Sequence, residues 1–170
     1  MFYISLNRIK IMPIFTKSVR VNSPLDDVWN FHSNIDGLEY LTPSWMNLKI
    51  ESVVDSNGKK IKVGLPVGTT ILASIHPFKI GQPVIWNVQI LERNKQQTSA
   101  FFRDDVSGKP FQKWTHTHSF STYEDRTILT DHVDYDLGGF LSPFSILCYP
   151  IFWIMFAMRQ YQLKKVFRND

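Results

Sequence analysis

Two histidines two positions apart have the clearest capacity for chemistry in this chain. His116 and His118 share period-two spacing with Trp114 and Phe120. Because side chains alternate between the faces of a β-strand, a strand here would carry both imidazoles and both aromatic rings on one face. Large rings favour burial, but buried imidazole nitrogens need hydrogen-bonding partners. The pattern therefore predicts the wall of a cavity with a polar patch rather than a close-packed core.

A carboxylate on the last predicted strand is a suitable partner for these imidazoles. Leu129, Asp131, Val133 and Tyr135 share one face at period two, and the apolar members indicate that this face points inward. A buried carboxylate needs a partner, since it otherwise stays protonated. We therefore expect an imidazole to pair with Asp131 across the sheet, which would raise the pKa of the histidine and lower that of the aspartate.

Three roles are open for this pair. It can satisfy buried polar groups, hydrogen-bond a carbonyl or hydroxyl of a ligand, or serve as general acid and base in an aldol-type cyclisation or a dehydration. The candidate catalytic residues are His116, His118 and Asp131. The predicted ligand-binding residues are these three together with Trp86, Trp114, Phe120 and Tyr135.

A metal site is an alternative that the spacing permits. The two imidazoles would point the same way about 7 Å apart at Cα, with Asp131 as a third ligand and His32 as a fourth. No cysteine cluster or His-Glu-x-x-His motif supports this alternative. We therefore expect neither a metal nor a cofactor, and we expect His32 to interact with the C-terminal dipole of a short helix.

Composition narrows the functional classes. The 170 residues are 44% hydrophobic and 20% charged, which is typical of one globular domain, predicted at 13–168 after an N-terminal extension at 1–12. The net charge of +4 comes without a long basic run, so nucleic acid is not expected as a partner. Cys148 is the only cysteine, which excludes an internal disulfide and fits the cytoplasm.

Alternating strands and turn residues predict the elements that position the site. Ser23 is expected to cap a short helix that begins at Pro24. Successive strands with short turns indicate an antiparallel meander, interrupted at 106–110. The predicted strands are 14–21, 46–54, 69–77, 84–93, 98–104, 111–123 and 126–137, and the predicted helices are 24–33, 36–41 and 150–167.

Residues 137–158 contain no charged side chain and so resemble a membrane span in composition. Pro143 and Pro150 would break or kink such a span, and the sheet needs a helix to cover it. We therefore expect the final helix to lie across the sheet, with 140–147 as a lid or entry segment. Basic residues at the C-terminal end could attract an anionic membrane surface: Arg159, Lys164, Lys165 and Arg168.

Four segments together resemble a known superfamily. They are Ser23-Pro24 with 28–32, then 41–43, then 106–120, and finally 127–137. With the long final helix they resemble the START-like, helix-grip superfamily of polyketide cyclase/dehydrase and lipid-transport proteins, and within it the cyclase-like ligand-binding proteins. Two positions depart from the usual pattern, since Lys109 separates Gly108 from Pro110 and Arg103 stands where an acid is expected.

The resemblance implies an α+β fold. About seven antiparallel strands would form a curved sheet wrapped on a long C-terminal helix, with two short helices after the first strand. It also implies a hydrophobic cavity between sheet and helix, but no particular reaction. Trp86 and the paired imidazoles would then face that cavity.

The leading expectation for function is binding or carriage of a small hydrophobic ligand, such as a lipid, isoprenoid or polyketide-like molecule. One alternative is a cyclase or dehydratase that uses the His-Asp pair in the same cavity. Another is a membrane-associated scaffold that docks through 140–158. The expected partners are the small ligand and a peripheral membrane surface, and the expected localisation is cytoplasmic.

Overall fold

Seven antiparallel strands form one curved sheet in the computed structural model, which describes residues 13–168. The strand order is β1-β7-β6-β5-β4-β3-β2. The predicted extension at 1–12 lies outside the described residues. The strands are β1 Ile14–Val21, β2 Lys49–Val54, β3 Thr70–Ile75, β4 Val84–Lys95, β5 Ser99–Ser107, β6 Lys113–Tyr123 and β7 Arg126–Asp136. The helices are α1 Leu25–His32, α2 Ile35–Leu41 and α3 Tyr149–Val166.

The inward faces of the two central strands are those that the period-two pattern predicts. On β6 the four members of the aromatic and imidazole set are all buried, and on β7 so are the members of the Asp131 set. Register places His118 opposite Asp131 and Trp114 opposite Tyr135. The strands therefore bring the imidazoles and the carboxylate to one side of the sheet.

The start of α1 differs from the prediction. Ser23 does not cap the helix; its hydroxyl donates to the carboxylate of Asp27 at 3.1 Å. Pro24 occupies the capping position, and its carbonyl accepts a hydrogen bond from the Val28 backbone N–H at 3.3 Å. The predicted serine cap is thus wrong, because a proline carbonyl begins the first turn one residue later.

Strand boundaries differ from the predicted ones by two or three residues at β2, β3, β4, β5 and β6, and the largest differences are at β2 and β5. Met46 belongs to a short 3-10 turn, so β2 begins only at Lys49. β5 continues to Ser107 by pairing with β4, and the predicted interruption therefore starts at Gly108. Gly108 has φ 154°, and a Cβ there would lie 2.5 Å from the Ile85 carbonyl oxygen. Glycine is required at this position because the chain passes so close to β4.

The final helix covers the sheet as predicted. α3 buries Phe152, Phe156 and Leu163 against it, and Phe15 of β1 packs its ring against those of the first two. The preceding Gly139–Cys148 forms 3-10 turns rather than extended chain. Ser145 fastens this segment to the sheet, because its hydroxyl accepts the Leu137 N–H at 2.9 Å. One face of α3 thereby becomes the roof of the space above β6.

Candidate functional site

A cavity of about 130 Å³ lies between the sheet and α3. Most of its wall is apolar, with contributions from Leu41, Ile71, Ala73, Trp86, Trp114 and Phe156. One end is polar and is lined by His32, Asp104, His116, His118 and Arg159. The cavity thus has mostly apolar walls and, at one end, a compact group of titratable side chains.

The structure separates the predicted ligand-binding residues into two groups. Trp86, Trp114, His116 and His118 line this cavity. The remaining three stand outside it: Phe120 packs in the core against Trp29, Tyr135 packs against Phe152, and Asp131 lines an adjoining cavity of about 10 Å³. Ligand binding by the first group stays a prediction, whereas direct contact by the second group would require the cavity to change shape.

Asp131 contacts one nitrogen of each of the two imidazoles. Its Oδ1 accepts a hydrogen bond from His116 Nε2 at 3.0 Å, so the predicted cross-strand pairing is present. The same oxygen lies 2.9 Å from His118 Nδ1, an ion-pair contact without hydrogen-bond geometry at that nitrogen. The imidazole rings themselves lie 3.7 Å apart between centroids. One carboxylate oxygen therefore contacts both rings.

A second carboxylate, from β5, completes the group. Asp104 lies directly opposite His116 in the sheet register, and its Oδ2 is 3.5 Å from His118 Nε2. It is only 6% exposed. His118 also stacks on Phe102 with ring centroids 4.1 Å apart. We refer to Asp104, His116, His118 and Asp131 as the His-Asp cluster.

Solved structures share this architecture although their sequences differ. Protein CV1439 from Chromobacterium violaceum aligns with a TM-score of 0.65 at 12% identity, covering 93% of this chain and 99% of that one. A START superfamily protein from Mycobacterium smegmatis aligns at 0.61 and 12%, covering 91% and 96%. Truncated norcoclaurine synthase from Thalictrum flavum aligns at 0.64 and 15%, covering 94% and 96%.

The chain has the START-like, helix-grip fold. The seven-stranded sheet, the long final helix and the two short helices after β1 match these structures along nearly their whole length. No model of a protein family matches the sequence, and no protein of curated function matches it either. At such low identity the likeness describes the fold, and function has to be argued from the site.

Within this START-like fold, the cluster stabilises opposite charges on neighbouring groups. Burial alone would raise the pKa of Asp131, but the imidazoles of His116 and His118 outweigh burial and hold that pKa well below its usual range. Burial would lower the pKa of His118, but its contacts with Asp104 and Asp131 raise it. His118 therefore binds a proton more readily than an isolated imidazole, because it lies between two carboxyl groups.

His116 behaves differently from the prediction for a paired histidine. Its pKa is lowered, because burial and the neighbouring positive charge of His118 outweigh the hydrogen bond to Asp131. Since the Asp131 carboxylate can only accept, His116 Nε2 carries the proton and Nδ1 keeps a lone pair. The expected rise in pKa thus applies to one imidazole of the pair and is wrong for the other.

His32 also differs from expectation. It is 8% exposed, lines the cavity, and its Nδ1–H donates to the Val28 carbonyl at 2.9 Å. Burial, followed by the charge of His118, lowers its pKa to about 3. A neutral ring cannot supply the positive charge that a helix-dipole partner needs. The predicted dipole role is therefore wrong.

Sequence reasoning missed Asp104 and Arg159 as members of the site. Asp104 continues the buried period-two set of Ala100 and Phe102 on β5, and that spacing was the available signal. Arg159 was expected at the membrane-facing surface, but it lines the cavity and its guanidinium lies 5.8 Å from the Phe156 ring centroid. Its position one turn after buried Met155 was the corresponding helical signal.

Replacing His32 by glutamine is expected to reduce the pH dependence of the free energy of unfolding at acidic pH. The folded protein keeps His32 neutral, while the unfolded chain protonates it below about pH 6.5. The unfolded state then binds more protons, so stability falls with falling pH by up to about 1.4 kcal/mol per pH unit between about pH 6.5 and 3. Urea unfolding of wild type and His32→Gln between about pH 6 and 4 measures this slope. Equal slopes would contradict the assignment.

Proposed function

We propose that the protein binds a small hydrophobic ligand in the cavity between the sheet and α3. The observation that carries the proposal is the single polar end of an otherwise apolar chamber. Apolar walls supply binding free energy by excluding water, and a few convergent polar groups set orientation. START-like neighbours support this coarse assignment, since proteins of this fold generally bind hydrophobic ligands.

Cavity size narrows the ligand. The cavity measures about 130 Å³, slightly less than the roughly 150 Å³ of an apolar cavity that binds benzene. A compound with one ring is therefore the largest that we expect inside, whereas a whole lipid or isoprenoid chain would have to extend out of the cavity. Of the ligand classes expected from the sequence, a small polyketide-like ring is favoured.

The charges at the polar end favour a neutral ligand head. Two acidic residues, Asp104 and Asp131, lie beside the imidazole of His118, and the guanidinium of Arg159 lines the same end of the cavity. Because acidic and basic groups already neighbour one another there, an anionic or cationic head would add a charge without a partner. A hydroxyl or carbonyl can instead exchange hydrogen bonds with the cluster. The proposed ligand is thus a small ring compound with a neutral oxygen substituent.

Filling the cavity should abolish binding of such a compound. Ala73 is 2% exposed and lines the chamber, so the extra carbons of Ala73→Leu would occupy the space of a ring. We expect p-cresol to bind wild type and to bind Ala73→Leu at least about tenfold more weakly, a loss of about 1.4 kcal/mol. Titration calorimetry or ligand-observed NMR measures both affinities.

The matched control is Ser74→Leu, because adjacent residues on a strand face opposite sides and Ser74 does not line the cavity. Its affinity for p-cresol should equal that of wild type. Equal weakening in both variants, or no p-cresol binding by wild type, would contradict the proposal. Mass spectrometry of extracts from the purified protein would then identify any compound that it carries.

Catalysis in the same cavity is the second candidate function. The specific observation is a pair of adjacent imidazoles with opposite pKa shifts, raised in His118 and lowered in His116. Environments that push two pKa values apart create a general acid and a general base side by side. A cyclase or dehydratase would use His116 Nδ1 to remove a proton next to a carbonyl and His118 to hydrogen-bond the carbonyl oxygen.

Hydrogen exchange tests this second candidate without knowledge of the substrate. Acetophenone has one ring and a carbonyl, and its methyl hydrogens exchange with D₂O when a base removes them. If the cluster is catalytic, wild type should accelerate this exchange at least roughly 100-fold relative to His116→Gln. NMR follows the methyl signal, and p-cresol binding verifies that the variant keeps its cavity. Equal exchange rates in the two proteins would exclude the acid-base role.

The outer surface of the segment before and within α3 is unusually apolar. Phe140 is 84% exposed and Leu147 is 68% exposed, and five more large side chains are more than half exposed: Phe144, Ile146, Ile151, Trp153 and Ile154. Large apolar side chains that are exposed within one stretch of the chain, here 140–154, indicate a candidate interaction site. We define these seven residues as the apolar patch.

A membrane surface fits this patch better than a transmembrane position. Gly139–Val166 is long and apolar enough to cross a bilayer, but the opposite face of α3 packs on the sheet and a spanning helix would lose that packing. Lys17 Nζ lies 4.6 Å from the Trp153 ring centroid, and Lys164 and Arg168 are exposed at the end of α3. Apolar side chains beside cations suit an anionic lipid surface.

Removing two members of the apolar patch should weaken membrane binding. Each exposed Phe or Leu that enters the bilayer contributes up to about 1.5–3 kcal/mol, so Phe140→Ser with Leu147→Ser is expected to reduce binding at least about tenfold. Sedimentation with vesicles of phosphatidylcholine and phosphatidylserine measures this change. Binding should also weaken with added salt, because screening reduces the attraction of the lysines.

The control double variant changes two exposed valines in the loop between β2 and β3. Val63 and Val67 are 73% and 52% exposed but belong to another surface. Val63→Ser with Val67→Ser should sediment with vesicles as wild type does. Failure of wild type to sediment, or equal losses in both double variants, would argue against this surface as the lipid contact.

A further inference from the structure

Three side chains of metal-ligating type meet at the polar end of the cavity. One ring nitrogen of His116, one of His118 and one carboxylate oxygen of Asp104 lie within 4.8 Å of one another. All three residues are 5–7% exposed. Two imidazoles with one carboxylate are a donor set used for divalent first-row transition metals, and oxygen-only cations such as Mg²⁺ prefer other ligands.

Asp131 holds the imidazoles in an orientation that suits coordination. Its Oδ1 contacts His116 Nε2 at 3.0 Å and His118 Nδ1 at 2.9 Å. Histidine ligands commonly direct their second nitrogen toward a carboxylate, which fixes the ring and its tautomer. His116 Nδ1 and His118 Nε2 are thereby left for a metal ion, and their occupation by a metal would exclude the acid-base use of the same atoms.

The distance between His118 Nε2 and Asp104 Oδ2 is close to the distance between two ligand atoms of one metal ion. His118 Nε2 and Asp104 Oδ2 lie 3.5 Å apart, which is long for a hydrogen bond. Two ligands each about 2.1 Å from a tetrahedral ion are separated by roughly 3.4 Å. An ion between these atoms would satisfy both without a large movement of the strands.

We propose that Asp104, His116 and His118 bind a divalent first-row transition metal ion and that Asp131 is a positioning residue for both imidazoles. The two positive charges of the ion would match the carboxylates of Asp104 and Asp131, which contact the two imidazoles from either side. Three protein ligands leave at least one coordination position open. Because the same three residues line the cavity, that position faces the ligand space.

Cobalt(II) is a suitable probe, since its visible absorption reports the number and kind of ligands. Chelator-treated full-length protein should bind one equivalent of Co²⁺ with ligand-field bands. Asp104→Asn should weaken binding at least tenfold, and Asp131→Asn should weaken it about 10- to 100-fold as outer-shell changes commonly do. The matched control is Asp134→Asn, which alters an exposed His-Asp contact of 3.6 Å with His132 and should leave Co²⁺ affinity unchanged.

A second measurement uses only the wild-type protein, so it does not depend on whether the variants fold. Bound Co²⁺ is paramagnetic and should shift the ring-proton NMR signals of His116 and His118 far more than those of His132. Absence of Co²⁺ binding by wild type, strong shifts at His132 instead, or full affinity in a folded Asp104→Asn would overturn the proposal. Metal binding requires no organic ligand in the cavity, so its outcome is separate from that of the p-cresol experiment.

Discussion

The interaction on which the site depends is the mutual neutralisation of buried charges on three neighbouring strands. A carboxylate removed from water is strongly destabilised unless a cation or hydrogen-bond donors replace the solvent. Here β5 and β7 each contribute a carboxylate, and β6 places two imidazoles between them. Loss of one member would leave its partner charged and unpaired, so the cluster constrains the register of all three strands.

The same cluster forms one end of the cavity. Asp104, His116 and His118 line the space that remains between the sheet and α3. Met155, Phe156 and Arg159 of α3 line the cavity, while Ile151, Trp153 and Ile154 of the same helix are more than half exposed. One helix thus lines the cavity and carries three members of the apolar patch, and the other four members precede it in the chain.

Those features of the fold and the site that depend on local periodicity could be predicted from the sequence. Period-two alternation on β6 and β7 was enough to identify the inward faces and the pairing of an imidazole with Asp131. It could not predict which imidazole would be protonated, since that depends on the distance of each ring from both carboxylates. Asp104 stands in the charged run Arg103-Asp104-Asp105, where composition suggests a solvated surface. Arg159 was missed for a similar reason, because its basic neighbours at the chain end suggested one common cationic surface.

The contacts with two carboxylates raise the pKa of His118, whereas the pKa of the adjacent His116 is lowered, so near pH 6.5 one ring is charged and the other is neutral. Nitrogen-15 NMR of the histidine rings in the metal-free protein near pH 6.5 tests this difference in charge most directly, because ring nitrogen shifts distinguish the two tautomers from the imidazolium form. We predict a doubly protonated His118 beside a His116 that carries its proton on Nε2. A neutral His118 at that pH, or both rings titrating together as exposed histidines do, would contradict it.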